Sequence, residues 1–141
     1  MKRQIEKFIS FLEKDRFKVD ATNENAFYSG TKRITYDGRQ ADEAVLFTLL
    51  HEYGHYKLRC AGKKYAKRYF SQKKADKDGR SKRSIAYKVD ILREEYDAWR
   101  IGLEVAKELN LKINRQNYEK HSAICLKTYC GWVCDSGNYE Y

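Results

Sequence analysis

The stretch AVLFTLLHEYGHYKLRCAGKK, Ala44–Lys64, decides the fold. Val45, Leu46, Leu49, Leu50 and Tyr53 recur at helical spacing, and Asp42 and Glu43 sit in the first turn, where the helix dipole favours acids. Gly62 offers a stop, so the pattern predicts a helix from Ala41 to about Ala61. Two of the chain's three histidines lie on it, four apart, in His51-Glu52-Tyr53-Gly54-His55. On a helix, positions four apart share a face, so both imidazoles can reach one tetrahedral ion. Glu52 then projects beside that ion, placed to take a proton from an activated water and pass it to a leaving amine. The apolar residues before His51 predict burial, which a metal site needs and a solvated helix does not.

A catalytic zinc takes three protein ligands and keeps one position open. The third is sought downstream in DILREEYDAWRIG, Asp90–Gly102. Ile85, Val89, Leu92, Tyr96, Trp99 and Leu103 alternate steps of four and three, which predicts a long helix from about Ser84 to Leu109 with a continuous apolar stripe. Glu94 and Glu95 compete for the ligand role. Around Glu95, the residues three and four away are Ile91, Leu92, Ala98 and Trp99, all apolar; around Glu94 they include Asp90 and Asp97. An unpaired carboxylate on a packed face is costly, and a metal ion is a good partner for one. Glu95 is therefore the expected ligand, with Glu94 as the fallback.

The remaining segments frame these two helices. Arg3–Arg16 places Ile5, Phe8, Ile9 and Leu12 at helical spacing. AFYSGTKRITYDG predicts a β-hairpin, with strands at Ala26–Tyr28 and Lys32–Tyr36 around a Ser29-Gly30 turn. A shorter helix is expected from Arg115 to about Tyr129. With 141 residues and 42% hydrophobic content, the chain suits one α+β domain.

The net charge of +9 suggests a nucleic-acid partner, but its distribution argues otherwise. Lys63–Arg83 holds ten Lys/Arg against Asp76 and Asp78, a net of +8, leaving 19 basic and 18 acidic residues elsewhere. Basicity thus belongs to one segment, expected to be a solvated, mobile insertion; nucleic acid is a possible partner but not the favoured one. No apolar run reaches the roughly 20 residues of a membrane span. Glu6, Lys7, Glu13 and Lys14 interrupt any signal-like core, and four cysteines without a signal read as thiols, so a cytoplasmic location is expected.

HEYGH followed by Glu95-Tyr96-Asp97-Ala98-Trp99 resembles the paired motifs of small gluzincin-type zinc metallopeptidases. Phe47-Thr48-Leu49-Leu50-His51-Glu52-Tyr53-Gly54-His55 looks most like the ImmA/IrrE-like group, over about Ile34 to Lys107. The resemblance implies a zincin-like α+β fold, with a small sheet beside the two metal-bearing helices. It also implies one catalytic Zn2+ on His51, His55 and Glu95, Glu52 as general base, and hydrolysis of a peptide bond in a protein substrate, of which a repressor-type protein is one candidate. An edge strand would hold the extended substrate, and Lys32–Tyr36 is the expected edge. Trp99 stands where that group usually has Asp or Asn, so any hydrogen bond that residue gives a ligand must come from elsewhere.

Other elements compete for roles. Tyr87, Tyr96, Tyr118 and His121 are each candidates to stabilise an oxyanion. His121, Cys125, Cys130 and Cys134 form a set that would suit a second, structural zinc, although their spacings are not of the paired C-x2-C type. The competing functional class is a metal-stabilised binding module that docks a protein or nucleic acid through residues 63–83.

Overall fold

The computed structural model describes residues 1–79, 82 and 84–135, except the side chains of Lys73, Asp76 and Asp135. The order is α1 (Lys2–Lys14), β1 (Lys18–Thr22), β2 (Ala26–Tyr28), β3 (Arg33–Asp37), α2 (Asp42–Cys60), α3 (Lys63–Arg68), α4 (Phe70–Lys77), α5 (Ile85–Glu108) and α6 (Arg115–Asp135). This is a mixed α+β architecture.

The hairpin forms as its turn residues suggest, with Phe27 opposite Ile34 in the antiparallel pair. A third strand that the sequence reading did not find, β1, pairs parallel with β3 from Lys18–Arg33 to Thr22–Asp37. The sheet order is β1-β3-β2. The expected substrate-binding edge at Lys32–Tyr36 is therefore overturned: β3 is central, Lys32 lies in the preceding turn, and β1 and β2 are the edges.

The sheet lays Ile34 in the core beside α2, which is buried at every position from Val45 to His55. A helix covered on all sides needs apolar residues all round, and the run Val45–Leu50 provides them. Phe8 and Leu12 of α1, Phe17 and Tyr53 close one side of this core; Val105, Leu111 and Tyr118 close the other.

On α5, Ser84 Oγ caps the first turn by accepting from the Tyr87 amide at 3.1 Å. The predicted apolar stripe is only partly buried. Trp99 is in the core, but Ile85, Val89 and Tyr96 are exposed. The buried stripe holds Asp90, Glu94 and Asp97 instead. What covers it is the basic segment.

Lys63–Arg83, expected to be solvated, forms α3 and α4 and lays one face on α5; Arg80, Ser81 and Arg83 fall outside the described residues. Tyr69 is wholly buried. Ser71 N donates to Asp90 at 2.8 Å, Gln72 Nε2 to Glu94 at 3.0 Å, Tyr65 OH to Glu94 at 3.1 Å and Arg68 Nε to Asp97 at 2.7 Å. Each carboxylate that burial would penalise thus gains a donor.

Burial alone would raise the Asp97 carboxyl, but the Arg68 guanidinium and Tyr69 hydroxyl outweigh it and hold the group below its ordinary value. A depressed carboxyl stabilises the fold above its unfolded pKa, and that contribution is lost as pH falls through the folded value. Asp97→Asn should therefore cost about 1–3 kcal/mol at neutral pH and remove part of the acid-induced loss of stability below pH 3.8, the ordinary value. Urea unfolding across pH 2–7 reads both effects.

Candidate metal centre

Two close approaches fix the geometry of the cleft. A Cβ built on Gly54 would lie 2.2 Å from the carbonyl oxygen of Ala98, and one on Gly102 would lie 2.8 Å from that of Leu50. Only glycine lets α2 and α5 come so near at both points. Glu95, one turn before Ala98, then faces the histidines directly.

The donor atoms converge. His51 Nε2 lies 3.1 Å from His55 Nε2 and 2.9 Å from Glu95 Oε2, and His55 Nε2 lies 3.2 Å from Glu95 Oε1. Ligands about 2.0–2.1 Å from a tetrahedral zinc stand about 3.3 Å apart, close to these separations, with each histidine meeting a different oxygen of Glu95. His51, His55 and Glu95 are the one such group among the described residues. His121, Cys125, Cys130 and Cys134 do not gather into a second one, and all four cysteines of the chain are free thiols.

The electrostatics also call for a cation. Burial would drive the His55 imidazole neutral, yet Glu94 and Glu95 on either side raise it to about 10. Burial would raise Glu95, but hydrogen bonds from the two histidines hold it well below the carboxylate range. The carboxylates around His55 thus favour positive charge beside the point where the donors meet, which a metal ion can supply.

Glu94 is not a spare ligand. It is more deeply buried than Glu95, and its Oε1 lies 3.4 Å from His55 Nδ1. A carboxylate there favours a proton on Nδ1, which would leave the Nε2 lone pair free for a metal ion. His51 is oriented differently. Its ring stacks on Trp99 at 4.1 Å with 20° between planes, while its Nδ1 finds no hydrogen-bond partner among the described residues. Trp99 therefore orients its histidine by stacking, where Asp or Asn would use a hydrogen bond.

Glu52 is 8% exposed and shares a cleft of about 400 Å³ with the three donors. Burial pushes its carboxyl up to about 7, the range suited to a general base at neutral pH. Asn25, Ala26 and Phe27 bring the edge strand β2 to the same cleft.

Of the four expected oxyanion candidates, none lines it. Tyr118 donates to the Trp99 carbonyl, Tyr96 is 59% exposed, Tyr87 faces Trp132, and His121 packs on Phe47 and Trp99. The residue present is Tyr129, whose phenol is raised first by burial and then by Glu95. A signal existed for it: Tyr118, Ser122, Cys125 and Tyr129 follow steps of four, three and four along α6.

No helix among the described residues is long and apolar enough to cross a membrane. No family model, no curated protein and no solved structure matches this chain, so the chemistry of the cleft is read from its own donor atoms.

Proposed function

We propose that the protein is a zincin-like, zinc-dependent metallopeptidase, with His51, His55 and Glu95 holding the ion and Glu52 as general base. The observation that carries this reading is the convergence of the two histidine Nε2 atoms and the Glu95 carboxylate at separations of 2.9 to 3.2 Å, beside a buried carboxylate that is not one of them. An ion held by His51, His55 and Glu95 would supply Lewis acidity toward the scissile carbonyl and toward an attacking water. Glu52 accepts that water's proton on its carboxylate and delivers it to the leaving amine nitrogen. Glu94 keeps the His55 proton on Nδ1. The Tyr129 hydroxyl, beside Glu95 at the same cleft, is placed to donate to the developing oxyanion. An extended peptide pairs with the free side of β2, which borders the cleft as the deposed edge at Lys32–Tyr36 cannot.

Protein purified without chelator should carry about one zinc per chain, and His51→Ala should carry none; zinc-free protein, or a variant with unchanged zinc, overturns the site. Glu94→Gln should keep the fold but weaken zinc binding about 10- to 100-fold, as read by chelator competition.

One observation favours a second reading, a binding module. Lys63, Lys67, Lys74 and Lys77 surround Phe70, which is 66% exposed, in a groove of about 730 Å³ between α3 and α4. If that groove holds a nucleic acid backbone, duplex affinity falls with salt at a log–log slope of about −3 to −4. A flat titration removes this reading.

A further inference from the structure

Arg59 stands one turn beyond His55 on α2 and is the only Lys or Arg lining the cleft of the three donors among the described residues. Its Nε lies 3.5 Å from Glu94 Oε1, and its guanidinium carbon lies 5.7 Å from the Tyr65 ring centroid. Its side chain is 45% exposed.

Neutralising Glu94 does not account for this placement. Gln72 at 3.0 Å, Tyr65 at 3.1 Å and His55 at 3.4 Å already serve that carboxylate, and Arg59 is the most distant of the four. Other guanidinium groups close on their carboxylates, Arg68 on Asp97 at 2.7 Å and Arg39 on Asp37 and Arg100 on Glu104 at 2.8 Å, while Arg93, 3.5 Å from Asp90, is the exception. Arg59 makes no hydrogen bond of that quality to a described residue. Among the described residues it is held by a ring face and a distant charge, with no close hydrogen bond from its planar fork of donors. Such a fork matches a carboxylate through two parallel hydrogen bonds.

We infer that Arg59 makes the cleft select peptides with a carboxylate close to the bond to be cut, supplied by an acidic side chain or by a free C-terminus. The inference rests on the peptidase reading for its substrate class. Glu52, Glu94 and Glu95 at the cleft would repel such a group and metal-ligating histidines are neutral, so in the zinc-loaded protein any preference for it must come from Arg59 or the ion. An Arg59 variant separates those two sources.

Binding is measured with zinc-loaded protein carrying Glu52→Gln, so that turnover cannot consume the probe. The probes are acetylated, amidated hexa-alanine with Glu or Gln at each position in turn, and hexa-alanine with a free or an amidated C-terminus. At least one carboxylate peptide should bind about tenfold more tightly than its neutral counterpart. Which series shows the effect identifies the source, side chain or chain end. Arg59→Gln should erase the preference and Arg59→Lys should keep part of it, with zinc content unchanged in both. Equal binding of every pair, or a preference surviving Arg59→Gln, overturns the inference. Turnover of the same peptides by the unsubstituted protein is scored separately. A preference without cleavage removes the peptidase reading and leaves the carboxylate site standing; cleavage without preference does the reverse.

Discussion

Glu52→Gln should lower peptide turnover by about 10³-fold while leaving one zinc per chain, because it removes proton transfer and nothing else. The substitution keeps the shape of a side chain that is 8% exposed, so packing is preserved. It also relieves a cost, since burial disfavours the Glu52 carboxylate strongly enough to push it up to about 7. Stability should therefore hold or rise slightly as turnover falls. A structural glutamate would give the opposite pattern, lost stability with little specific loss of rate. The measurements are cleavage of an internally quenched peptide library, zinc content by elemental analysis, and thermal unfolding. Retained turnover assigns the base role elsewhere, and lost zinc makes Glu52 a ligand or a folding residue.

Gly54→Ala should produce the largest structural effect of a single added methyl. The new Cβ would stand 2.2 Å from the Ala98 carbonyl oxygen and 2.8 Å from its carbon, both backbone atoms that no rotamer change can move. The helices must part by roughly 1 Å, an overpacking cost of about 2–3 kcal/mol. For a chain of this size, that cost corresponds to a fall in Tm of about 10 °C. Glu95 moves with Ala98, and donor sites tolerate errors of only about 0.2 Å, so zinc affinity should drop at least tenfold. Gly30→Ala is the control, because nothing lies within 4 Å of its added Cβ. Equal Tm and zinc affinity in the two variants would show that the close approach of α2 and α5 does not set the site.

The sequence made part of this readable. The HEYGH helix, its burial, the hairpin and the choice of Glu95 all follow from periodicity and from helical neighbours. Helical neighbours nonetheless mislead about the acidic flank of α5, which does not face water: Glu94 is buried more deeply than Glu95. A window along one helix cannot show that a distant basic segment supplies Tyr65, Arg68 and Gln72 to that flank. The exposed residues Ile85, Val89 and Tyr96 mark the same error from the other side. Strand β1 escaped notice because KVDAT has little apolar alternation and only half-buried inner positions. Missing it made β3 look like an edge. Tyr129 escaped because the sequence expectation ended α6 at about that residue, and twelve tyrosines give no rank to any one of them.

The backbone contacts of Gly54 with Ala98 and of Gly102 with Leu50 also bear on how the ion comes and goes. They join the ligand-bearing helices through packing that owes nothing to coordination, and the core around Leu49, Leu50 and Trp99 reinforces it. Small zinc modules whose ligands are their main cross-link melt when the metal leaves. On the proposed reading, metallation is a docking event on a finished scaffold. A chelator should yield a folded, inactive protein, and added zinc should restore activity at the speed of binding, with no refolding phase between.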